Sequence, residues 1–115
     1  MVRTKEQQTI TSGSIRGGIG EIEGRCITEN NAELYEKGRL FKHMVIAPGY
    51  SIGDHAHQGD NEIYYILSGT GLYNDNGNPV TVKAGDTTIC NDGETHGLIN
   101  NSKEPIELIA LILFS

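Results

Sequence analysis

The amino-acid sequence predicts an all-β fold, a sandwich or a barrel, and three observations support this. From Arg39 onward, segments rich in β-branched and aromatic residues recur at intervals of about ten residues. Glycine, asparagine and aspartate, which favour tight turns, separate these segments. The chain contains 15 glycines but only 6% aromatic residues, a composition that suits short strands joined by turns.

The length of 115 residues allows one domain with a buried core and leaves no room for a second folded unit. Residues 1–37 are less regular, and their glycine-rich part predicts turns around a short strand. Residues 29–38 contain helix formers but no apolar stripe, which predicts a loop with one helical turn at most. We expect residues 1–37 to form an N-terminal extension that two subunits could exchange, and residues 38–115 to form the barrel.

Seven strands are expected in the second part of the chain. They cover residues 39–47, 51–57, 62–69, 79–84, 86–91, 95–100 and 105–114. Pro48 and Gly49 end the first strand, and turn residues at 58–61 separate the second from the third. A turn within residues 73–79 precedes the fourth strand. Strands of this number and spacing can close into a jelly roll, which leaves few exposed edges.

Two of the expected strands are apolar on both faces. In residues 62–69, Tyr64 shares one face with Ile66, and Tyr65 shares the opposite face with Ile63 and Leu67. Residues 106–114 are apolar almost throughout. A single barrel covers only one face of each sheet, so the other face needs a cover. We expect a homodimer that packs sheet against sheet. The alternative is that N-terminal strands of the same subunit provide the cover.

Three of the four histidines lie in one spacing pattern with an acidic residue. His55 and His57 are two residues apart, so on a strand both rings lie on one face, with Cα atoms about 6.5–7 Å apart. Imidazoles can converge from that separation on one ion at bond lengths of about 2.0–2.1 Å. Glu62 from the next strand and His96 from a later strand would complete a set of four ligands. The sequence therefore predicts a metal site.

The same residues resemble the two sequence motifs of the cupin superfamily. The first motif, G-x5-H-x-H-x4-E-x6-G, is matched throughout by Gly49, His55, His57, Glu62 and Gly69. The second motif, G-x5-P-x-G-x2-H-x3-N, is matched by Gly85, Gly93, His96 and Asn100. Asn91 stands where the family usually has proline, which affects the rigidity of a turn and no metal donor.

The resemblance implies a jelly-roll barrel of the double-stranded β-helix type, with one divalent transition metal ion. The expected ligands are His55, His57, Glu62 and His96. Three imidazoles and a carboxylate suit Fe, Mn, Co, Ni, Cu or Zn, and the spacing does not select among them. The resemblance does not imply one reaction, because cupins include dioxygenases, decarboxylases, isomerases, storage proteins and sensors.

We expect a metal-dependent enzyme that acts on a small organic acid or a sugar-like ligand. Dioxygenase-like chemistry ranks first because it needs only the metal and an apolar pocket, and decarboxylation follows. Candidate catalytic residues are Arg39 as a cation for the substrate, His43 as a proton shuttle and Glu94 as a base. The alternative for each is a solvated surface position. The alternative functions are a non-catalytic module that binds a small molecule through the same metal, and a metal-free structural barrel.

Composition argues against several other partners. The formal net charge is −6, and the cations are scattered rather than clustered, so neither nucleic acid nor an anionic membrane is an expected partner. No segment is long and apolar enough to span a membrane, and the polar start does not resemble a signal peptide. We expect a cytoplasmic protein in which Cys26 and Cys90 are reduced, with a disulfide between them as the alternative.

Overall fold

Ten β-strands in two sheets form the structure, a computed structural model that describes residues 1–115. The strands are β1 (Ile10–Gly13), β2 (Ile22–Cys26), β3 (Gly38–Ile46), β4 (Ser51–Ala56), β5 (Asp60–Ser68), β6 (Thr70–Asp75), β7 (Asn78–Lys83), β8 (Thr87–Cys90), β9 (Thr95–Ile99) and β10 (Ile106–Phe114). Two short 3₁₀ helices cover Lys5–Gln7 and Asn31–Leu34. The second of them is the single helical turn predicted within residues 29–38.

The two sheets have the strand orders β1-β2-β3-β10-β5-β8 and β4-β9-β6-β7, and neighbouring strands in each are antiparallel. From β3 onward the chain passes repeatedly from one sheet to the other, which is how a double-stranded β-helix winds. The predicted fold class is therefore confirmed. No helix in the structure has both the length and the apolar character needed to span a membrane.

All seven predicted strands are present, but the sequence does not predict β6. Its residues Gly71, Asn74 and Asp75 have low intrinsic strand preference. Hydrogen bonding to β7 on one side and to β9 on the other nevertheless holds the segment in the smaller sheet. Long-range pairing here outweighs local propensity.

The core lies between the sheets and is formed by the inward side chains of both. Its large aliphatic side chains include Ile46, Ile52, Ile66, Leu98, Ile106 and Leu108, each at most 1% exposed. Each buried aliphatic side chain of this size contributes about 1.5–3 kcal/mol through removal of apolar surface from water. Cys26 and Cys90 are both free thiols, as expected.

The N-terminal segment contacts both sheets of its own chain. Strand β2 pairs with β3 and so extends the larger sheet. Ile15 forms a bridge to Ile52 in β4, and the backbone N–H of Ile19 donates to the Ser51 hydroxyl at 2.9 Å. A Cβ atom at Gly53 would clash with the carbonyl oxygen of Arg16, so this position requires glycine for the close approach. A domain boundary at residues 37–38 and an exchange of this segment between subunits stay predictions.

Asn100 joins the end of β9 to two other segments. It is fully buried, and its Nδ2 donates to the carbonyl oxygens of Ile46 and Glu104 at 2.9 and 2.8 Å. Its Oδ1 accepts from the backbone N–H and the hydroxyl of Ser102. This asparagine of the second motif therefore serves the fold by satisfying buried backbone groups.

Asn100→Ala should lower the free energy of unfolding by about 2–4 kcal/mol, because it leaves buried carbonyl groups without donors. Urea denaturation followed by circular dichroism would measure the loss. Asn101→Ala is the matched control, because Asn101 is exposed and its truncation should change the stability by less than about 0.5 kcal/mol. Equal effects of the two substitutions would contradict the role assigned to Asn100.

Candidate metal centre

The predicted ligands come from three strands that meet between the two sheets. His55 lies in β4, and His57 follows directly after the end of this strand. The register of β4 against β9 shifts between Ile52 and His55, which places His55 opposite His96 in β9. Glu62 lies in β5 of the larger sheet. Both sheets therefore contribute to one cluster, as the spacing predicts.

The four side chains direct one donor atom each at a common point, and these atoms all lie within 4.8 Å of one another. Nε2 of His96 lies 3.2 Å from Nε2 of His55 and 3.2 Å from Nε2 of His57. Oε1 of Glu62 lies 3.1 Å from Nε2 of His96, 3.2 Å from that of His57 and 3.8 Å from that of His55.

This spacing fits a metal ion. At metal–ligand bonds of about 2.0–2.2 Å, adjacent donors are about 3.0 Å apart in an octahedron and about 3.4 Å apart in a tetrahedron. Lone pairs that converge in this way repel one another unless a cation or a proton lies among them. The cluster of His55, His57, Glu62 and His96 could therefore hold one metal ion, and its mixed nitrogen and oxygen donors suit a divalent transition metal.

The other ring nitrogen of each histidine is bound to a different partner. Nδ1 of His55 lies 2.8 Å from the carbonyl oxygen of Gly53. Nδ1 of His57 lies 2.7 Å from Oδ1 of Asp60, and Nδ1 of His96 lies 2.8 Å from the Tyr73 hydroxyl. The Gly53 carbonyl and the Asp60 carboxylate only accept, so these two contacts assign the proton to Nδ1 of His55 and His57 and leave a lone pair on Nε2, which is the tautomer that binds metal. The Tyr73 hydroxyl can accept from Nδ1 of His96 in the same way.

The environment also keeps the carboxylate ionised. Burial opposes the charge of Glu62, but contacts with His55 and His96 outweigh it and lower the pKa of Glu62 to about 2. Glu62 in turn raises the pKa of His55, against the effect of burial. The ring of Tyr64 stacks on His96 with centroids 5.0 Å apart, and burial raises the pKa of Tyr64 far above its ordinary value. Tyr64 is therefore a neutral wall of the site.

A cavity of about 210 Å³ opens directly on the cluster. Its lining comprises His55, His57, Glu62, Tyr64, the cations Arg16, Arg39 and Lys42, and the apolar residues Ile15, Leu40, Met44, Ile52 and Ile112. Three cations line the cavity, against the Glu62 carboxylate in the lining and the Asp60 carboxylate that pairs with Arg39, so an excess of positive charge remains and attracts anions. The Nε–H of Arg39 donates to Oδ2 of Asp60 at 2.9 Å, and Nζ of Lys42 donates to the Thr11 hydroxyl at 3.2 Å.

Of the three predicted catalytic residues, the structure places only Arg39 at the cavity. His43 lies on the opposite face of β3 from Lys42 and Met44, and its Nε2 is 3.3 Å from Oε1 of Glu107. The expectation that His43 lines the cavity is thus corrected, because strand alternation turns its side chain to the outer face.

Glu94 also lies away from the cavity lining, and its carboxylate has another use. It accepts from the backbone N–H of Asn91 and from Nδ2 of Asn76, both at 2.8 Å. The backbone N–H of Glu94 donates back to the carbonyl oxygen of Asn91 at 2.9 Å. Glu94 therefore closes the turn before β9. Asn91, which replaces the proline of the motif, supplies an N–H that proline lacks.

Three site residues are not singled out by the sequence. Asp60 and Glu62 are two residues apart in β5, so the parity argument that places Glu62 also indicates Asp60. Tyr73 lies in the strand that the sequence does not predict. Arg16 lies in the glycine-rich segment and reaches the cavity through packing against β4, for which the sequence contains no local signal.

The comparisons with known proteins agree with this fold and site. Residues 42–112 match the family model described as the cupin domain. The chain is 40% identical over 113 residues to a protein of Thermotoga maritima named oxalate-binding protein, an alignment that covers 98% of this chain and 93% of the relative. The chain belongs to the cupin family.

Solved structures support the same assignment. The crystal structure of a predicted oxalate decarboxylase from Thermotoga maritima matches with a TM-score of 0.94 and 39% identity, and each chain is covered completely. An RmlC-like cupin from Shewanella frigidimarina matches with a TM-score of 0.73 and 19% identity, over 97% of this chain and 88% of the other. The second similarity supports the fold alone.

His57→Ala should remove most of the bound metal. Substitution of an outer-shell partner typically costs about 10–100-fold in metal affinity, so loss of a direct donor should cost more. Elemental analysis after reconstitution with manganese, iron or zinc and desalting would measure the metal content. His43→Ala is the matched control, because it removes the one histidine outside the cluster and should retain the metal. Full metal content in His57→Ala would contradict the ligand assignment.

Proposed function

We propose that this cupin binds a small dicarboxylate of the oxalate class through a divalent metal ion held by His55, His57, Glu62 and His96. The observation that carries the proposal is the group of three cations around a small cavity that opens on the four donors. The relative named oxalate-binding protein supports the same ligand class.

The bound metal would supply coordination positions that two oxygen atoms of a dicarboxylate can fill. Arg39 adds charge-assisted hydrogen bonds, since its Nε is held by Asp60 and its terminal nitrogens are free to donate to a carboxylate. Leu40, Met44 and Ile112 form apolar walls, which exclude water and strengthen the electrostatic interactions within. The cavity is smaller than the roughly 300–1,000 Å³ of pockets for drug-sized ligands, which favours a ligand of few atoms.

Decarboxylation of the same ligand is the second candidate, because the structure with the TM-score of 0.94 is described as a predicted oxalate decarboxylase. After loss of carbon dioxide, a proton must reach the remaining carbon. Lys42 is the cavity residue best suited to deliver it, because Tyr64 has a strongly raised pKa and Glu94 lies outside the lining. We therefore place binding ahead of decarboxylation, and dioxygenase-like chemistry third, supported only by the apolar walls.

Oxalate should bind the metal-loaded protein, and Arg39→Gln should weaken this binding by about 10–100-fold. The change removes hydrogen bonds to a charged group, which contribute about 1.5–3 kcal/mol. Isothermal titration calorimetry with saturating manganese would measure the affinity. Arg25→Gln is the control, because Arg25 donates to the carbonyl oxygen of Lys5 away from the cavity, and it should bind oxalate like the wild type.

Absence of oxalate binding by the metal-loaded wild type would refute the proposed function. The same samples, incubated with oxalate, would be assayed for formate and for oxygen uptake. Formate without oxygen uptake would favour decarboxylation over simple binding, and oxygen uptake coupled to ligand loss would favour dioxygenase-like chemistry.

We also propose that the protein is a homodimer that packs through the outer face of the larger sheet. Tyr65, Leu67 and Ile89 are 46%, 42% and 52% exposed on this face. Ile63 pairs with Ile89 in β8 and with Leu111 in β10, so the apolar positions form continuous rows across three strands. A second copy of the same face would cover these rows, as the sequence predicts.

Ile89→Glu should convert the dimer into a monomer, because a buried unpaired carboxylate in a sheet interface is strongly unfavourable. Sedimentation equilibrium should give twice the chain mass of 12.5 kDa for the wild type and the chain mass for the variant. Ile99→Glu is the matched control, since Ile99 is 47% exposed on the smaller sheet. A wild-type mass of 12.5 kDa would overturn the dimer.

A further inference from the structure

Asp60 links the metal cluster to Arg39, one of the three cations that line the cavity. It is the first residue of β5 and is only 6% exposed. One carboxylate oxygen, Oδ1, lies 2.7 Å from Nδ1 of His57, and the other, Oδ2, lies 2.9 Å from Nε of Arg39. The two oxygens thus serve two different functional groups, one on each side.

Both carboxylate oxygens of Asp60 face nitrogen donors, and one of these donors belongs to the permanently charged guanidinium of Arg39. The carboxylate accepts a hydrogen bond from the protonated Nδ1 of His57. This contact orients the His57 ring with its Nε2 lone pair toward the cluster. Of the three imidazoles, only that of His57 has a carboxylate as its outer partner; the others have the Gly53 carbonyl and the Tyr73 hydroxyl.

Arg39 is held by the other oxygen. Its side chain is 38% exposed, and Nε is its one hydrogen-bonded nitrogen. Arg39 lines the cavity, and its guanidinium is planar, so an anchored Nε also fixes the direction of the two terminal nitrogens. A free arginine side chain would lose rotamer entropy on binding an anion, and this anchoring removes part of that cost beforehand.

We propose that Asp60 is a positioning residue for both parts of the site: it orients His57 for the metal and Arg39 for the anionic ligand. The part that concerns Arg39 rests on the proposed binding of a dicarboxylate. Metal affinity and ligand affinity therefore both depend on the Asp60 carboxylate, although Asp60 is itself neither a metal ligand nor a contact of the anionic ligand.

Asp60→Asn tests this because it keeps the size of the side chain and removes the charge. Two donors, His57 Nδ1 and Arg39 Nε, point at the carboxylate, whereas an amide has one acceptor oxygen and one donor nitrogen. The variant therefore cannot accept both hydrogen bonds in the present geometry. Asp86→Asn is the matched control, because Asp86 caps the Lys83 N–H in a turn away from the site.

The first measurement is the affinity of the metal-free protein for Zn²⁺, by competition with a chelating dye. Asp60→Asn should lower it by about 10–100-fold, Arg39→Gln by less, and Asp86→Asn not at all. Nitrogen-15 NMR of the imidazoles should show a shifted Nδ1 resonance for His57 alone, with His55 and His96 unchanged, which general destabilisation would not produce. Wild-type zinc affinity in Asp60→Asn would overturn the proposal that Asp60 orients His57 for the metal.

The second measurement is oxalate affinity at saturating manganese, by calorimetry. Asp60→Asn should weaken binding, and it should do so much less in an Arg39→Gln background, because two residues that act through one another are not additive. Wild-type affinity in Asp60→Asn, or additive losses, would overturn the Arg39 part.

The two proposals fail in distinguishable ways. If the metal-saturated wild type binds no oxalate, the proposed function and the Arg39 part fall together, while the zinc titration decides the His57 part alone. Asp60→Glu is the second variant should Asp60→Asn not fold. It keeps the charge, so its zinc affinity should lie between that of the wild type and that of His57→Ala, and an affinity equal to that of His57→Ala would contradict the positioning role.

Discussion

The convergence of four donor atoms from two sheets is the constraint on which the rest of the structure depends. His55 in β4, His57 just after this strand and His96 in β9 approach from the smaller sheet, and Glu62 approaches from the larger one. Their donors can meet only if the two sheets close at this end, which the packing of the core between them enforces. The register shift in β4 is part of the same requirement, because it sets His55 opposite His96.

The converging donor atoms repel one another without a cation, and the neighbouring residues hold them in place as metal ligands. Each imidazole has a partner on its outer nitrogen, and the Glu62 carboxylate stays ionised despite burial. A divalent ion among the donors would turn mutual repulsion into attraction. The cations at the cavity then attract a ligand whose negative charge complements both them and the metal. The proposed affinity for a small dianion would follow from the same arrangement that favours the metal.

The strands of the larger sheet carry two sets of side chains with different uses. In β5, Glu62 and Tyr64 face the site, while Ile63 and Tyr65 face outward. In β3, Lys42 borders the cavity and His43 meets Glu107 on the outer face. Alternation along a strand thus separates ligand chemistry from the surface available to a second subunit. A shift of the strand by one residue would exchange the side chains that face the site with those that face outward.

The sequence by itself determined seven strands of the barrel and the four metal-ligand candidates, because both depend on short-range regularities. Turn residues mark the strand ends, and fixed spacing puts His55 and His57 on one face. Only the tertiary structure decided which face of β3 looks into the cavity. It also separated Arg39 from His43, which would share a face in a regular strand, because the pairing of β3 with β10 shifts register at Arg39. It also decided that Arg16 joins the site and that Asp60 bonds to Arg39. Their positions depend on packing and hydrogen bonds between segments distant in the chain, which local periodicity does not encode.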